Sequence, residues 1–142
     1  MTDYFPVVIH HNPGCGTSRN VVELVRASGY EPEIIPYLDT GWTRDQLVAL
    51  FAAAGKTPRE MLRVPPALAA EYGVLEQSGD GAVILDAMVA HPILVNRPIV
   101  ATPKGVELCR PSESVIALLD RKPDRVVLKE DGAVLYDPGA AS

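Results

Sequence analysis

Cysteine and histidine are scarce in this sequence, positive charge is in deficit, and no long apolar run occurs. Each shortage removes a class of answer. The only cysteines, Cys15 and Cys109, lie far apart. In a reducing compartment they are expected to be free thiols rather than a structural disulfide. The three histidines make no metal site. His10 and His11 are adjacent and His91 precedes a proline, so no spacing typical of zinc ligands appears. No stretch approaches the roughly 18 apolar residues of a membrane helix. Met1 to Pro6 lack the basic segment, apolar core and cleavage site of a secretory leader, so a cytoplasmic location is expected. The formal charge of -5 argues against a general binder of nucleic acid or of anionic membranes, either of which needs a basic face. A small anionic substrate stays possible, because a few local arginines outweigh distant, screened surface charge.

What the sequence does hold is enough apolar material for a core, 47% over 142 residues. That length fits one domain. Repeats and low-complexity linkers are absent. Val7-Val8-Ile9 reads as a strand ending at the turn-like His11-Asn12-Pro13-Gly14. A helix is expected over about 16–28, with Val21, Val22, Leu24 and Val25 toward the core and Gly29 as its stop. Ile34-Ile35-Pro36-Tyr37 reads as a second strand, and its proline suggests an edge or a strand end. Thr43 to Gln46 has capping-box spacing ahead of Leu47, Leu50, Phe51 and Ala54, and Gly55 closes that helix. Thr57-Pro58-Arg59-Glu60 repeats the device. Short helical pieces, interrupted by prolines and glycines, are expected to about His91. Trp42 reads as a packing residue or a partly exposed cap.

Ile99 to Ala101 and Val106 to Cys109 flank Thr102-Pro103-Lys104-Gly105, a type I turn pattern, which predicts a β-hairpin. A helix over about 111–119 follows. In the tail, Val126 to Leu128 and Ala133 to Tyr136 around Asp131-Gly132 suit a small hairpin. The order indicates an α/β fold with a mixed sheet flanked by helices.

The chemically pointed segment is His11 to Asn20, which joins a predicted strand to a predicted helix. Cys15 would sit where unpaired backbone N–H groups and the helix dipole favour thiolate over thiol. Gly14 and Gly16 let the backbone approach a bound anion. His11 and Arg19 are placed to add positive charge. Three motif types compete for this cysteine. A dithiol motif needs a second cysteine three positions on, where Ser18 stands. A phosphatase-type loop needs an arginine six positions on, where Val21 stands. A monothiol Cys15-x-x-Ser18 pattern is left, and Ser18 is a candidate hydrogen-bond donor to the sulfur. Cys109 is expected to be packed and non-catalytic.

Taken together, several segments resemble the glutaredoxin-coupled arsenate reductase family. They are His11-Asn12-Pro13 with Cys15 to Asn20, Met61-Leu62-Arg63, His91 to Ile99, and Leu108 to Ser112. The resemblance runs from about Val7 to Leu119. It implies a single thioredoxin-like domain over 1–142, with a helical region of about 57–91 inserted between the two halves of the sheet and a tail over 120–142. It implies Cys15 as nucleophile, His11 and Ser18 as tuners of the thiolate, and Arg63, Arg97 and Arg110 as the oxyanion site. Gly14, Gly16, Thr17, Arg19 and Pro98 would support that site, with a cis peptide at Arg97-Pro98. Guanidinium groups suit a tetrahedral oxyanion, since they present paired donors and stay charged. By the same resemblance arsenate is the substrate, glutathione the co-substrate, glutaredoxin the protein partner, and no cofactor is bound. Two other readings stand beside it: a thioredoxin-fold, oxidation-sensing regulator of RNA polymerase, and a thiol reductase that does not use arsenate. Such regulators usually carry a Cys-x-x-Cys pair and lack the arginines, so Ser18, Arg63, Arg97 and Arg110 count against the first.

Overall fold

A computed structural model describes residues 5–63 and 81–139. The chain divides into two compact units, one formed by residues up to Pro36 and from Arg97 onward, the other by Tyr37–Asn96.

The first unit is built on β-rich runs too apolar to remain in water. β1 (Val8–His10) lies between β2 (Glu33–Ile35), which is parallel to it, and β3 (Ile99–Thr102), which is antiparallel; β4 (Gly105–Leu108) completes the order β2-β1-β3-β4. This is the expected mixed sheet. Ile9 and Val100, both fully buried, pair across its centre, and such cross-strand pairs are what hold register. β2 is an edge strand, as Pro36 suggested. It stops at Ile35, however, and Tyr37 opens a short helix instead of extending the strand. The cause is Pro36, which has no N–H to donate to a ladder.

Helix α1 (Gly16–Ala27) buries Val21, Val22, Leu24 and Val25, the anticipated face. Gly29 follows its end at φ +93°, and the next amide, that of Tyr30, returns to the Val25 carbonyl. Only glycine enters that left-handed region without a steric cost. The expected β3–β4 hairpin forms, with Thr102 opposite Gly105. The helix expected over 111–119 is a 3-10 helix, Ser112–Leu118. Pro111 precedes it, and the segment tucks Ser112, Val115 and Leu118 inward, which the three-residue repeat of a 3-10 helix brings onto one face. β5 (Val127–Leu128) and β6 (Val134–Tyr136) pair antiparallel in the tail, with Gly132 at φ +88° in the turn.

In the second unit α2 (Tyr37–Thr40) precedes α3 (Arg44–Ala54). Tyr37 and Trp42 stack with ring centroids 5.0 Å apart, and both are buried, so Trp42 is a packing residue. At α3 the predicted capping box is complete: the Gln46 amide donates to Thr43 Oγ1 (3.1 Å), while the Thr43 amide donates to Gln46 Oε1 (3.4 Å). Gly55 closes the helix at φ +68°. Thr57 and Glu60 exchange the same reciprocal bonds, yet only a turn follows, because Leu62 leaves to form a β-bridge with Val95. Of the expected helical pieces, 64–80 lies outside the described residues, and α4 (Gly81–Ala90) is present. His91 marks its end, ahead of a 3-10 turn at Pro92–Leu94.

His10 on β1 is buried, and burial lowers its pKa from 6.5 to about 4. Between those values the unfolded chain holds a proton that the folded chain refuses. Stability is therefore complete above about pH 6.5 and falls as pH drops toward 4. The gap sets an upper bound of about 3 kcal/mol for this side chain. Urea titrations from pH 7 to 4 are expected to show that loss, and His10→Gln, which keeps polarity without the titration, is expected to flatten it.

Candidate active site

The loop between β1 and α1 is assembled by its own backbone. Asn12 Oδ1 accepts from the Gly14 amide at 2.8 Å, and the Asn12 carbonyl accepts from the Cys15 amide at 3.0 Å. This turn delivers Cys15 to the N-cap of α1 with extended backbone, φ −104° and ψ 121°. The sulfur therefore faces the first-turn donors of α1, and the Ser18 amide donates to it.

Two arginines from beyond β2 reach the same atom. Arg110 Nη1 lies 3.6 Å from Cys15 Sγ and also donates to the Arg97 carbonyl at 3.1 Å. The Arg97 guanidinium donates to the sulfur as well. Arg97 lies two residues before β3 begins, and Arg110 two residues after β4 ends. The hairpin brings its two ends side by side, and the Cys109 amide ties them through the Pro98 carbonyl at 3.0 Å. The Arg97–Pro98 peptide is cis, as the resemblance implied, and so is Arg110–Pro111. Beside them Ser112 Oγ donates to the Thr17 carbonyl at 3.0 Å, anchoring the first turn of α1.

The ionisation of Cys15 follows from competing effects. Burial raises its pKa. The Ser18 amide and the Arg97 and Arg110 guanidiniums act the other way and prevail, so the thiol lies below its ordinary value. Cys109, fully buried, has no such donors. Burial, with the Glu107 charge behind it, pushes its thiol up to about 12. It is packed, as expected.

Cys15 itself has only 8% of its surface accessible, since the loop and the first turn of α1 fold around it. The geometry revises two sequence expectations. Ser18 was expected to offer its hydroxyl to the sulfur. That Oγ instead bonds His11 Nδ1 at 2.6 Å and accepts from the Asn12 amide at 3.1 Å, and the main-chain N–H reaches the thiol. His11 was expected to add positive charge. Burial, then Arg19 and Arg26, lower its pKa, which favours the neutral imidazole.

Gly14 leaves 3.3 Å between an added Cβ and Asn12 Oδ1, so its lack of a side chain preserves the turn. Arg19 is turned to a different task from anion binding. Its Nε and Nη2 make a two-pronged pair with Glu130, at 2.9 and 2.8 Å, and Nη1 donates to the Pro13 carbonyl at 2.7 Å. Arg63 belongs to the second unit, where its amide donates to the Leu94 carbonyl at 2.8 Å. Sequence reading missed Asn12 and Ser112 as supports of the loop. The turn-like Asn12-Pro13-Gly14 carried a signal for the first; nothing local signals the second. Among the described residues no group of three or more His, Cys, Asp or Glu side chains is arranged to hold a metal ion, and no helix is long and apolar enough to cross a membrane.

A profile of the ArsC family matches residues 10–118, a span that includes the reactive loop and both guanidinium donors. The chain belongs to the ArsC family. It is 58% identical over 131 residues to arsenate reductase ArsI2 of a Synechocystis species, covering 92% of this chain and 94% of that one. It is 47% identical to the arsenate reductase of Escherichia coli K12, covering 92% and 93%. Among solved structures it resembles an arsenate reductase from Vibrio cholerae, with a TM-score of 0.75 at 32% identity, covering 82% of this chain and all of the other. The mixed sheet with flanking helices is thus the thioredoxin-like arrangement of ArsC proteins.

Two labelling outcomes are expected. Iodoacetamide at neutral pH should modify Cys15 and leave Cys109 untouched until the protein unfolds. The midpoint of the alkylation rate against pH should lie below that of a free cysteine and rise toward it in Arg110→Ala. Equal labelling of both thiols, or an unmoved midpoint, would refute the assigned ionisation.

Proposed function

We propose that this ArsC-family protein reduces arsenate to arsenite through the Cys15 thiolate, with glutathione and a glutaredoxin as electron donors. The observation that carries this reading is the convergence of Arg110 and Arg97 on the Cys15 sulfur. Two guanidiniums at one thiolate keep it ionised and offer further N–H donors to an incoming tetrahedral oxyanion. They also offset the repulsion between two anions at the moment of attack.

In the proposed sequence Cys15 Sγ attacks arsenic and displaces a hydroxyl group as water, giving a thiol–arsenic(V) adduct. Glutathione adds its sulfur to arsenic, and a second water leaves. A glutaredoxin thiolate then attacks the glutathione sulfur. The sulfur–arsenic electron pair stays on arsenic, which becomes trivalent, and the two thiols leave as a mixed disulfide. Hydrolysis frees arsenite and returns the Cys15 thiol. Two electrons reach arsenic and two thiols are oxidised, so the cycle balances. The absence of a cysteine at position 18 supports an external thiol as resolving partner. His11, bonded to Ser18 Oγ and with a lowered pKa, tunes the thiolate by bracing the loop that carries it. Gly14, Gly16 and Thr17 shape the loop, Arg19 braces it, and Pro98 sets the direction of Arg97. For Arg63 as a third oxyanion ligand, the family pattern is the support. No bound cofactor enters the scheme, and the reaction belongs in a cytoplasm that keeps glutathione reduced.

Cys15→Ser is expected to abolish arsenate-dependent oxidation of a reduced nicotinamide through a glutathione and glutaredoxin relay, with an unchanged far-UV CD spectrum. Retained turnover would end the proposal. Arg97→Ala and Arg110→Ala should each lower kcat/KM for arsenate by about a hundredfold or more while moving the unfolding midpoint little. Unchanged arsenate kinetics in both would remove the oxyanion assignment.

A further inference from the structure

Beside the reactive loop lies a cleft of about 560 Å³ between α1 and the strand β5 of the tail hairpin. Its charged lining is Arg19, Glu23, Arg26, Arg125, Lys129 and Glu130. Four cations face two carboxylates, so the cleft carries a local excess of two positive charges in a chain whose formal charge is -5. Arg19 is committed to Glu130, and Arg26 shares Glu31 at 3.6 Å. Arg125 and Lys129, by contrast, are exposed and have no ion-pair partner among the described residues.

The cleft is joined to the chemistry at two points. His11, which lines it, bonds Ser18 at the base of the cysteine loop. Arg19, which also lines it, has its amide on the Cys15 carbonyl at 3.0 Å and its guanidinium on the Pro13 carbonyl. A ligand seated here lies against the cysteine loop while its charged ends remain on α1 and β5. The volume falls within the range of about 300–1,000 Å³ that small-molecule sites occupy. Two unshared cations ask for two carboxylates, and Glu23, without an ion-pair partner among the described residues, asks for an ammonium group.

We infer that the cleft between α1 and β5 is the seat of the thiol co-substrate, a small peptide with two carboxylates, one ammonium and a central thiol: glutathione. Its terminal carboxylates fall to Arg125 and Lys129 and its ammonium to Glu23. The Arg19–Glu130 pair lines this seat, with Arg19 also bonded to the Pro13 carbonyl of the cysteine loop. The inference rests on the glutathione coupling proposed above, and it is testable without arsenic.

The test is thiol–disulfide exchange at Cys15, followed by mass spectrometry. The Cys15 thiolate attacks one sulfur of glutathione disulfide, the S–S bond of that molecule breaks, a Cys15–glutathione disulfide forms, and one glutathione thiolate leaves. Second-order rates are compared for glutathione disulfide, the neutral bis(2-hydroxyethyl) disulfide and the anionic dithiodiglycolate. Wild type should prefer glutathione disulfide over both. In Arg125→Gln with Lys129→Gln, the ratio of the glutathione rate to either other rate should fall about fivefold to tenfold, and Lys129→Arg alone should retain it. S-methylglutathione should protect wild-type Cys15 from the neutral disulfide and protect the double variant less. The inference is overturned if wild type shows no preference or if the ratios survive the double substitution. It is equally overturned if dithiodiglycolate loses as much as glutathione disulfide, since long-range charge would then account for the effect. Arsenate turnover is scored separately: a wild type that keeps its glutathione preference but reduces no arsenate would sink the proposed activity and support the cleft assignment.

Discussion

A thiolate taken out of water is the constraint around which the first unit is organised. With 8% of its surface accessible, Cys15 would by burial alone be a neutral, inert thiol, and Cys109 shows that outcome in the same chain, with its pKa near 12. The difference between them is the set of donors. A main-chain N–H from the first turn of α1 and two guanidiniums from the ends of a hairpin replace the lost hydration with fixed charge and dipole. Such a site is reactive because its ionisation cost is met before substrate arrives.

This arrangement explains why so much of the surrounding structure is spent on the β1–α1 loop. The Asn12 side chain and carbonyl fold it, Ser18 Oγ ties it to His11, Ser112 holds the first turn of α1, and Arg19 pins the Pro13 carbonyl. Each bond is modest by itself, about 1 kcal/mol net. Together they restrict the sulfur to one direction, and direction is what two convergent guanidiniums require. The tail hairpin joins the same network through Glu130, so it is part of the site's support.

Much of the scaffold was legible because its causes are local. The capping box at Thr43, the stop at Gly29, the turn between β3 and β4 and the edge position of β2 all arise from residues within a few positions of the feature. Where local reading went astray, a distant contact had intervened. Thr57 and Glu60 made their reciprocal bonds, yet Leu62 was drawn off to Val95. Ser18 carried a hydroxyl suited to the sulfur, yet His11 and the Asn12 amide claimed it.

From the sequence alone came a cysteine at a strand-to-helix turn, the exclusion of dithiol and phosphatase-type motifs, and a family pattern that singled out three arginines. Pattern and propensity determine such things because they act over one turn or one strand. Tertiary structure decided the partner of each charge. Arg110 meets a sulfur 95 positions earlier in the chain, and Arg19 meets a carboxylate 111 positions later. At such separations no local preference operates. Which charges are brought together is set by chain topology and core packing, and whether a guanidinium serves an anion or a neighbouring glutamate follows from that placement alone.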